Sequence, residues 1–130
     1  MKLERKKKIK ETLCGCDGCT NGDKYFEDLQ QIGKELKSDQ NLDSLTSFIS
    51  ALGNKERLAI LTALKDNDRC VCEFEAMFDK SQPSISHHLR ELEKVGLIRG
   101  WKKGKYTYYT LLKEEFERQL ASLNQEFNFE

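Results

Sequence analysis

Five cysteines carry the chemistry open to this chain, and they fall into two groups. Cys70 and Cys72 flank a single valine. Cys14, Cys16 and Cys19 sit within CGCDGCTNGD, residues 14–23, a stretch whose three glycines, Asn and two Asp make it a loop. The N-terminus is charged from Lys2 and has no apolar core, so it does not read as a secretory signal. The cytosol is then the expected compartment, where thiols stay reduced and close cysteines bind metal or sense oxidants rather than form a disulfide framework. On a regular helix Cys70 and Cys72 would lie about 200° apart. At a fraying helix N-terminus both thiolates can converge on one ion, and that N-terminus is expected to lower the thiol pKa. Four thiolates suit Cd²⁺, Pb²⁺ or Zn²⁺; three suit As(III), Sb(III), Bi(III) or Pb²⁺. The spacing does not choose among them, and a disulfide or an oxidised thiol uses the same residues.

The elements that must position Cys70 and Cys72 form a helix–turn–helix. A helix is expected over Gln82–Val95, with Ser81 as its N-cap and Pro83 tolerated in its first turn. Ile85, Leu89 and Leu92 cluster on one side and face a core. The other side carries Pro83, His87, Arg90 and Lys94, with Ser84 and Ser86 at its edges and Glu91 and Glu93 on the flanks. Ser81, Gln82, Ser84, Ser86, His87, Arg90 and Lys94 are the candidate DNA contacts on this helix, able to donate to bases or clamp phosphates. His88 lies nearer the apolar side and is expected to be packed. After Gly96 the hydrophobic period becomes two. Leu97–Trp101 and Lys105–Leu111 are predicted strands joined by a KKG turn, with Tyr109 and Leu111 inward. This hairpin is a wing, and its Lys102, Lys103 and Lys105 suit phosphates or the adjacent minor groove.

The remaining chain supplies the scaffold. Helices are predicted over Lys24–Ser38 and Leu42–Leu52, the second capped at Asp43 or Ser44 with Leu45, Phe48, Ile49 and Leu52 inward. Asn54 caps a third over Lys55–Lys65, with Leu58, Ile60, Leu61 and Leu64 as its stripe. A last helix over Lys113–Phe127 carries Leu112, Phe116, Leu120, Leu123 and Phe127 at near-heptad spacing, a stripe expected to seal a dimer. The expected architecture is mainly α with a small β-hairpin wing, a homodimeric winged helix–turn–helix. Residues 1–23 form a basic, cysteine-rich flexible arm, and residues 24–130 form the DNA-binding domain with dimerisation helices at its two ends.

LGNKERLAILTAL, CVCEFEAMF and SQPSISHHLRELEKVGLIRGWKKGKYTYYTL together resemble the ArsR/SmtB family of winged-helix repressors over roughly Leu42–Leu120. The resemblance implies a homodimer joined by its first and last helices, which binds a palindromic operator and leaves it when metal binds. It also implies that Cys70 and Cys72 correspond to the thiolate site of arsenic and cadmium/lead sensors. The third cysteine common in arsenic sensors is absent, since Glu73, Phe74 and Glu75 follow. Cadmium/lead-type members supply cysteines from an N-terminal arm, as Cys14, Cys16 and Cys19 could, although their spacing here is tighter. The family's Asp/His metal site on the last helix is excluded, because both histidines of the chain lie in the recognition helix.

The charges agree with a DNA reader. The net charge is formally zero, but residues Met1–Lys10 carry six bases and one acid, and Lys80–Lys105 seven bases and two acids. From Lys113 to Glu130 the balance reverses to five acids and two bases. A local basic face, not the net charge, is what binds nucleic acid. No apolar run approaches the roughly 20 residues that span a bilayer, so no membrane partner is expected. With no carboxylate cleft, phosphate loop or nucleophile–base pattern, no enzyme activity is expected. Two alternatives use the same cysteines: a redox-sensing repressor, and a thiol or metal protein without a DNA role, against which the basic reader argues.

Overall fold

The computed structural model describes residues 1–13 and 22–129. In chain order its elements are α1 (Leu3–Leu13), α2 (Gly22–Lys37), α3 (Gln40–Leu52), α4 (Lys55–Leu64), β1 (Arg69–Cys70), α5 (Val71–Phe78), α6 (Gln82–Lys94), β2 (Ile98–Lys103), β3 (Tyr106–Leu111) and α7 (Lys113–Glu126). Two compact units are distinguished, Met1–Leu42 and Asp43–Glu130. Among the described residues no helix is long and apolar enough to cross a membrane.

In the first unit, the basic stretch assigned to a flexible arm contains the eleven-residue helix α1. Its lysines and glutamates are good helix formers, with Glu4 in the first turn and Lys10 in the last, as the helix dipole favours. α1 buries no residue of its own; it covers α2. The ammonium groups of Lys6 and Lys10 lie 5.5 and 5.4 Å from the centre of the buried Phe26 ring, and Lys10 pairs with Asp23 at 2.8 Å. Of Phe26, Leu29, Ile32 and Leu36, which fall on one side of α2 at helical spacing, only Phe26 is buried; the other three are exposed. Asp39 caps α3, its Oδ1 accepting from the amides of Asn41 and Leu42, so the helix starts earlier than an Asp43 or Ser44 cap would allow.

The core of the second unit gathers Phe48 and Ala51 of α3, Ile60, Leu61 and Leu64 of α4, Phe74 of α5, Ile85, Leu89 and Leu92 of α6, then Leu97 and Ile98. Ile49 and Leu58, expected inward, are each 47% exposed. They are one helical step off the face that packs, and Ala51 takes the inner place instead. Asn54 caps α4 as expected, accepting from the Arg57 amide. Between α5 and α6 the chain turns through Asp79 at φ 49°, a left-handed conformation that Asp tolerates. Gly96, at φ 77°, ends α6 in a Schellman motif, with the Leu97 amide on the Leu92 carbonyl and the Gly96 amide on Glu93.

The wing differs from the expected hairpin in two ways. The strands continue to Lys103 and restart at Tyr106, so the turn is the two-residue Gly104–Lys105 rather than KKG. Gly104 at φ 64° supplies the positive φ that a tight hairpin turn needs at its first position. A third strand is present as well: β1 pairs antiparallel with β3, giving the order β1–β3–β2. Tyr109 and Leu111 point to the core as expected. On α7, Phe116 meets Phe48 edge-on at 6.0 Å, while Leu120 and Phe127 are 42% and 57% exposed.

Candidate nucleic-acid interface and thiol pair

Cys70 is at once the last residue of β1 and the N-cap of α5. Its amide donates to Glu73 Oε1 at 3.1 Å and its sulfur receives the Glu73 amide, a capping box with a thiol in place of the usual hydroxyl. The Arg69 guanidinium bonds the other Glu73 oxygen at 3.4 Å and the Ala63 carbonyl at 3.2 Å, which fixes the start of α5. Cys70 is 5% exposed, whereas Cys72 lies open to solvent. The two residues share the first turn of α5, Cys70 as its N-cap and Cys72 two residues on. The expected lowering of the thiol pKa is not found at Cys70. Burial pushes this thiol up and the Cys72 thiol adds to it, while the Glu73 amide opposes them only partly.

Two adjoining soft donors fit a thiophilic ion as part of a site. Glu73 is committed to Arg69 and to the Cys70 amide, and no group of three or more His, Cys, Asp or Glu able to hold a metal occurs among the described residues. Cys14, Cys16 and Cys19 lie outside the described residues.

The α6 surface has the expected layout. Gln82, His87, Arg90 and Lys94 are exposed, and Ser84 and Ser86 are half-buried at the edges. Ser81 is exposed, and its hydroxyl oxygen caps the Ser84 amide. Lys94 is tied to Glu91 at 3.1 Å, and Lys94 holds the Glu91 carboxyl below the usual carboxylate range. Near Glu93, the Tyr109 phenol is pushed up by burial and then by the Glu93 charge. With Lys94 paired to Glu91, Arg90 is the cation at the centre of this face among the described residues. On the wing, Lys102, Lys103 and Lys105 are exposed, with Lys105 Nζ 5.6 Å from the Tyr106 ring centre.

His88 is packed, as its place on the wheel implies, but its partners escaped the sequence reading. Arg57 can only donate, so His88 Nδ1 accepts from it at 3.2 Å and the ring proton sits on Nε2, 2.7 Å from Glu56 Oε2. Glu56 also takes Lys80 from the α5–α6 turn at 3.3 Å, and Arg57 reaches the Ala51 and Ser50 carbonyls at the end of α3. One polar network thus ties α3, α4, the turn and the recognition helix. The available signal was a histidine on the inner side of an otherwise apolar stripe, which demands a buried partner.

A helix–turn–helix with an adjoining wing is a DNA-binding arrangement, and comparisons with known proteins agree. The family described as "Bacterial regulatory protein, arsR family" matches residues 54–99. A transcriptional repressor SmtB homolog from Synechocystis sp. is 31% identical over 67% of this chain and 66% of its own length. The cadmium resistance transcriptional regulatory protein CadC from Listeria innocua is 34% identical over 64% of this chain and 71% of its own. Among solved structures, an ArsR-like transcriptional regulator from Rhodococcus sp. RHA1 superposes with a TM-score of 0.61 at 26% identity, covering 67% of this chain and 82% of that one. The motifs of α4 to β2, the winged helix–turn–helix they build and these likenesses converge: the chain belongs to the ArsR/SmtB family of DNA-binding transcriptional regulators.

Proposed function

We propose that the chain is a repressor that grips a palindromic operator as a homodimer. It releases that operator when Cys70 and Cys72, joined by thiols of Cys14, Cys16 or Cys19, take up a thiophilic metal or metalloid such as Cd²⁺, Pb²⁺, Zn²⁺ or As(III). The observation that carries the reading is the placement of Cys70 and Cys72 together at the first turn of α5, the helix on which the recognition helix α6 rests. An ion held there supplies Lewis acidity that keeps the thiolates deprotonated and fixes their geometry. The chain's own residues do the rest. Cys70 is anchored in β1 and in the capping box, so a shift at its sulfur is passed to the start of α5 rather than lost in a loop. A coupling of about 1–3 kcal/mol, roughly 5–150-fold in DNA affinity, is enough for regulation of this type.

In this reading Gln82, Ser84, Ser86, His87 and Arg90 face the major groove, with Ser81 and Lys94 at its edge and Lys102, Lys103 and Lys105 on phosphates. One recognition helix spans a half-site, so a palindrome calls for two copies. Leu120 and Phe127 on α7, and Leu29, Ile32 and Leu36 on α2, are the apolar groups a second copy would cover. A groove of ≈ 360 Å³ between α4 and α7, floored by Leu61, Leu111 and Phe116, adjoins the α7 stripe. Residues 1–23 then act as the basic, cysteine-bearing arm and residues 24–130 as the DNA-binding and dimerisation part, at work in the cytoplasm.

The test is a fluorescence-anisotropy titration of the full chain on a labelled duplex from its own upstream region. It is run reduced, with Cd²⁺, Pb²⁺, Zn²⁺ or As(III), and again oxidised without metal. One of these is expected to weaken binding at least tenfold and, for Cd²⁺, to give a thiolate charge-transfer band. Cys70→Ser with Cys72→Ser should bind the duplex and ignore the metal. A metal response that survives this double substitution sinks the reading, and release by oxidation alone replaces it with a redox switch.

A further inference from the structure

We infer that the state of the thiol pair is delivered to the wing through the outer face of the three-stranded sheet, with Asp68, Thr110 and Trp101 as the positioning residues; this rests on Cys70 and Cys72 being the effector site. The register is the starting point. Cys70 of β1 pairs with Tyr108 of β3, and Tyr108 pairs with Trp101 of β2. Directly opposed residues of antiparallel strands send their side chains to the same face, so Cys70, Tyr108 and Trp101 form one row across the sheet. That face is the one turned away from Tyr109 and Leu111, which enter the core. The Tyr108 and Trp101 rings stack with centroids 5.0 Å apart and planes 24° apart.

A second connection runs along the same face. Trp101 Nε1 donates to Thr110 Oγ1 at 3.0 Å, and Thr110 in turn donates to Asp68 Oδ2 at 2.7 Å. Asp68 immediately precedes β1, so the segment before Cys70 is bound to β3 by a side chain as well as by the ladder, and through Thr110 it is linked to Trp101 of β2. This matters because β1 is only two residues long. A strand so short would slip against β3 if Cys70 were pulled. Pinned through Asp68 and Thr110, it carries the hairpin with it. Trp101 adjoins Lys102 and Lys103, so rotation of the row re-aims the cations placed for phosphate contact.

The test uses Thr110→Val, which keeps the shape and strand preference of the site and removes both hydrogen bonds. The chain has a single tryptophan, so Trp101 emission reads the row directly. The full-length protein is titrated with Cd²⁺, following the thiolate band, Trp101 emission and affinity for the upstream duplex. The parent should change Trp101 emission as the band rises, and lose DNA affinity. Thr110→Val should take up Cd²⁺ and, metal-free, bind DNA each within threefold of the parent, while its Cd²⁺-driven loss of DNA affinity shrinks at least tenfold. Trp101→Phe, which keeps a stacked ring but not the donor, should uncouple likewise and serves if Thr110→Val does not fold. Full release by Cd²⁺ in these variants overturns the wing route. A parent without a thiolate band at Cys70 and Cys72 fails at the earlier step and removes the effector site itself, an outcome that band absorption alone identifies.

Discussion

His88 Nε2 stands 2.7 Å from Glu56 Oε2, which couples the inner side of the recognition helix to the first turn of α4. The imidazole is buried, and its other nitrogen takes Arg57. His88→Ala should therefore take one partner from a guanidinium and one from a carboxylate at once, at a cost of about 1–3 kcal/mol of unfolding free energy by urea denaturation. His88→Gln, able to keep one of the two bonds, should recover part of it. Equal stability of the Ala variant and the parent would show the network to be incidental.

The same carboxyl predicts an acid-side dependence. Lys80 first, and His88 after it, hold Glu56 below its ordinary value of 4.5 against the opposing effect of burial. A carboxyl depressed in the fold stabilises the fold above its unfolded pKa, and that contribution is lost as pH falls through the folded value. Parent and Glu56→Gln should thus differ in stability at neutral pH, with the parent more stable. The gap should begin to close below pH 4.5 and vanish at lower pH. A gap that widens on acidification would reverse the sign and refute the assignment.

On DNA, Arg90 and Lys94 should behave differently although both are exposed bases of α6. Lys94 is shared with Glu91 at 3.1 Å, whereas Arg90 extends from the middle of the open face. Arg90→Ala should lose about 1–3 kcal/mol of binding, roughly 5–150-fold, with relaxed sequence preference if it reads a base. Lys94→Ala should stay within about threefold, as exposed pairs are worth little. Each of Lys102, Lys103 and Lys105 that meets a phosphate should lower the slope of log affinity against log salt by about 0.9 when changed to Ala. Equal losses for Arg90 and Lys94 would mean that the face acts only as diffuse charge.

How much of this was legible beforehand depended on whether a feature declares itself locally. The recognition helix did. Ser81 caps it, Pro83 is tolerated only in a first turn, and Ile85, Leu89 and Leu92 repeat at helical spacing. The strand β1 did not, because two residues carry no periodicity and Arg69–Cys70 is a strand only by virtue of its partner β3. The high thiol pKa of Cys70 follows from the same tertiary pairing, which buries a sulfur that the helix N-terminus alone would have activated. Glu73, three residues after the N-cap, did signal a capping box, but a cysteine in the Ser/Thr place concealed it. The Asp68–Thr110 bond spans 42 residues and had no local trace.

The unequal burial of the two thiols gives a chemical prediction. With Cys14, Cys16 and Cys19 replaced by Ser, the metal-free protein should be alkylated by iodoacetamide at Cys72 well before Cys70. The first is exposed; the second is enclosed and pushed up by that enclosure. Raising the pH through the ordinary thiol value of 9.0 should leave Cys70 lagging, because its neutral form is the one the fold favours. Peptide mass spectrometry of a time course resolves the two sites. Alkylation of Cys70 at the rate of Cys72 would show the enclosure to be absent in solution.

The α7 stripe makes the proposed homodimer testable with one residue. Phe116 is satisfied within the chain by Phe48, but Leu120, one turn further, is 42% exposed and has the open end of the helix beyond it. If a second copy covers that face, Leu120 is buried twice, once in each subunit. Covering the 42% of Leu120 that is exposed contributes about 0.6–1.3 kcal/mol per subunit, so Leu120→Glu should remove about 1.3–2.5 kcal/mol from a symmetric dimer before any charge repulsion. That corresponds to a dimer weakened roughly 10–60-fold, and further by the repulsion of two buried carboxylates. Sedimentation velocity at micromolar concentration should then move from dimer to monomer, while urea denaturation of the monomer keeps its cooperativity. Specific DNA affinity should fall with the dimer, since a lone subunit engages one half-site. A Leu120→Glu protein that still sediments as a dimer would place the subunit contact elsewhere and leave the α7 face to another role.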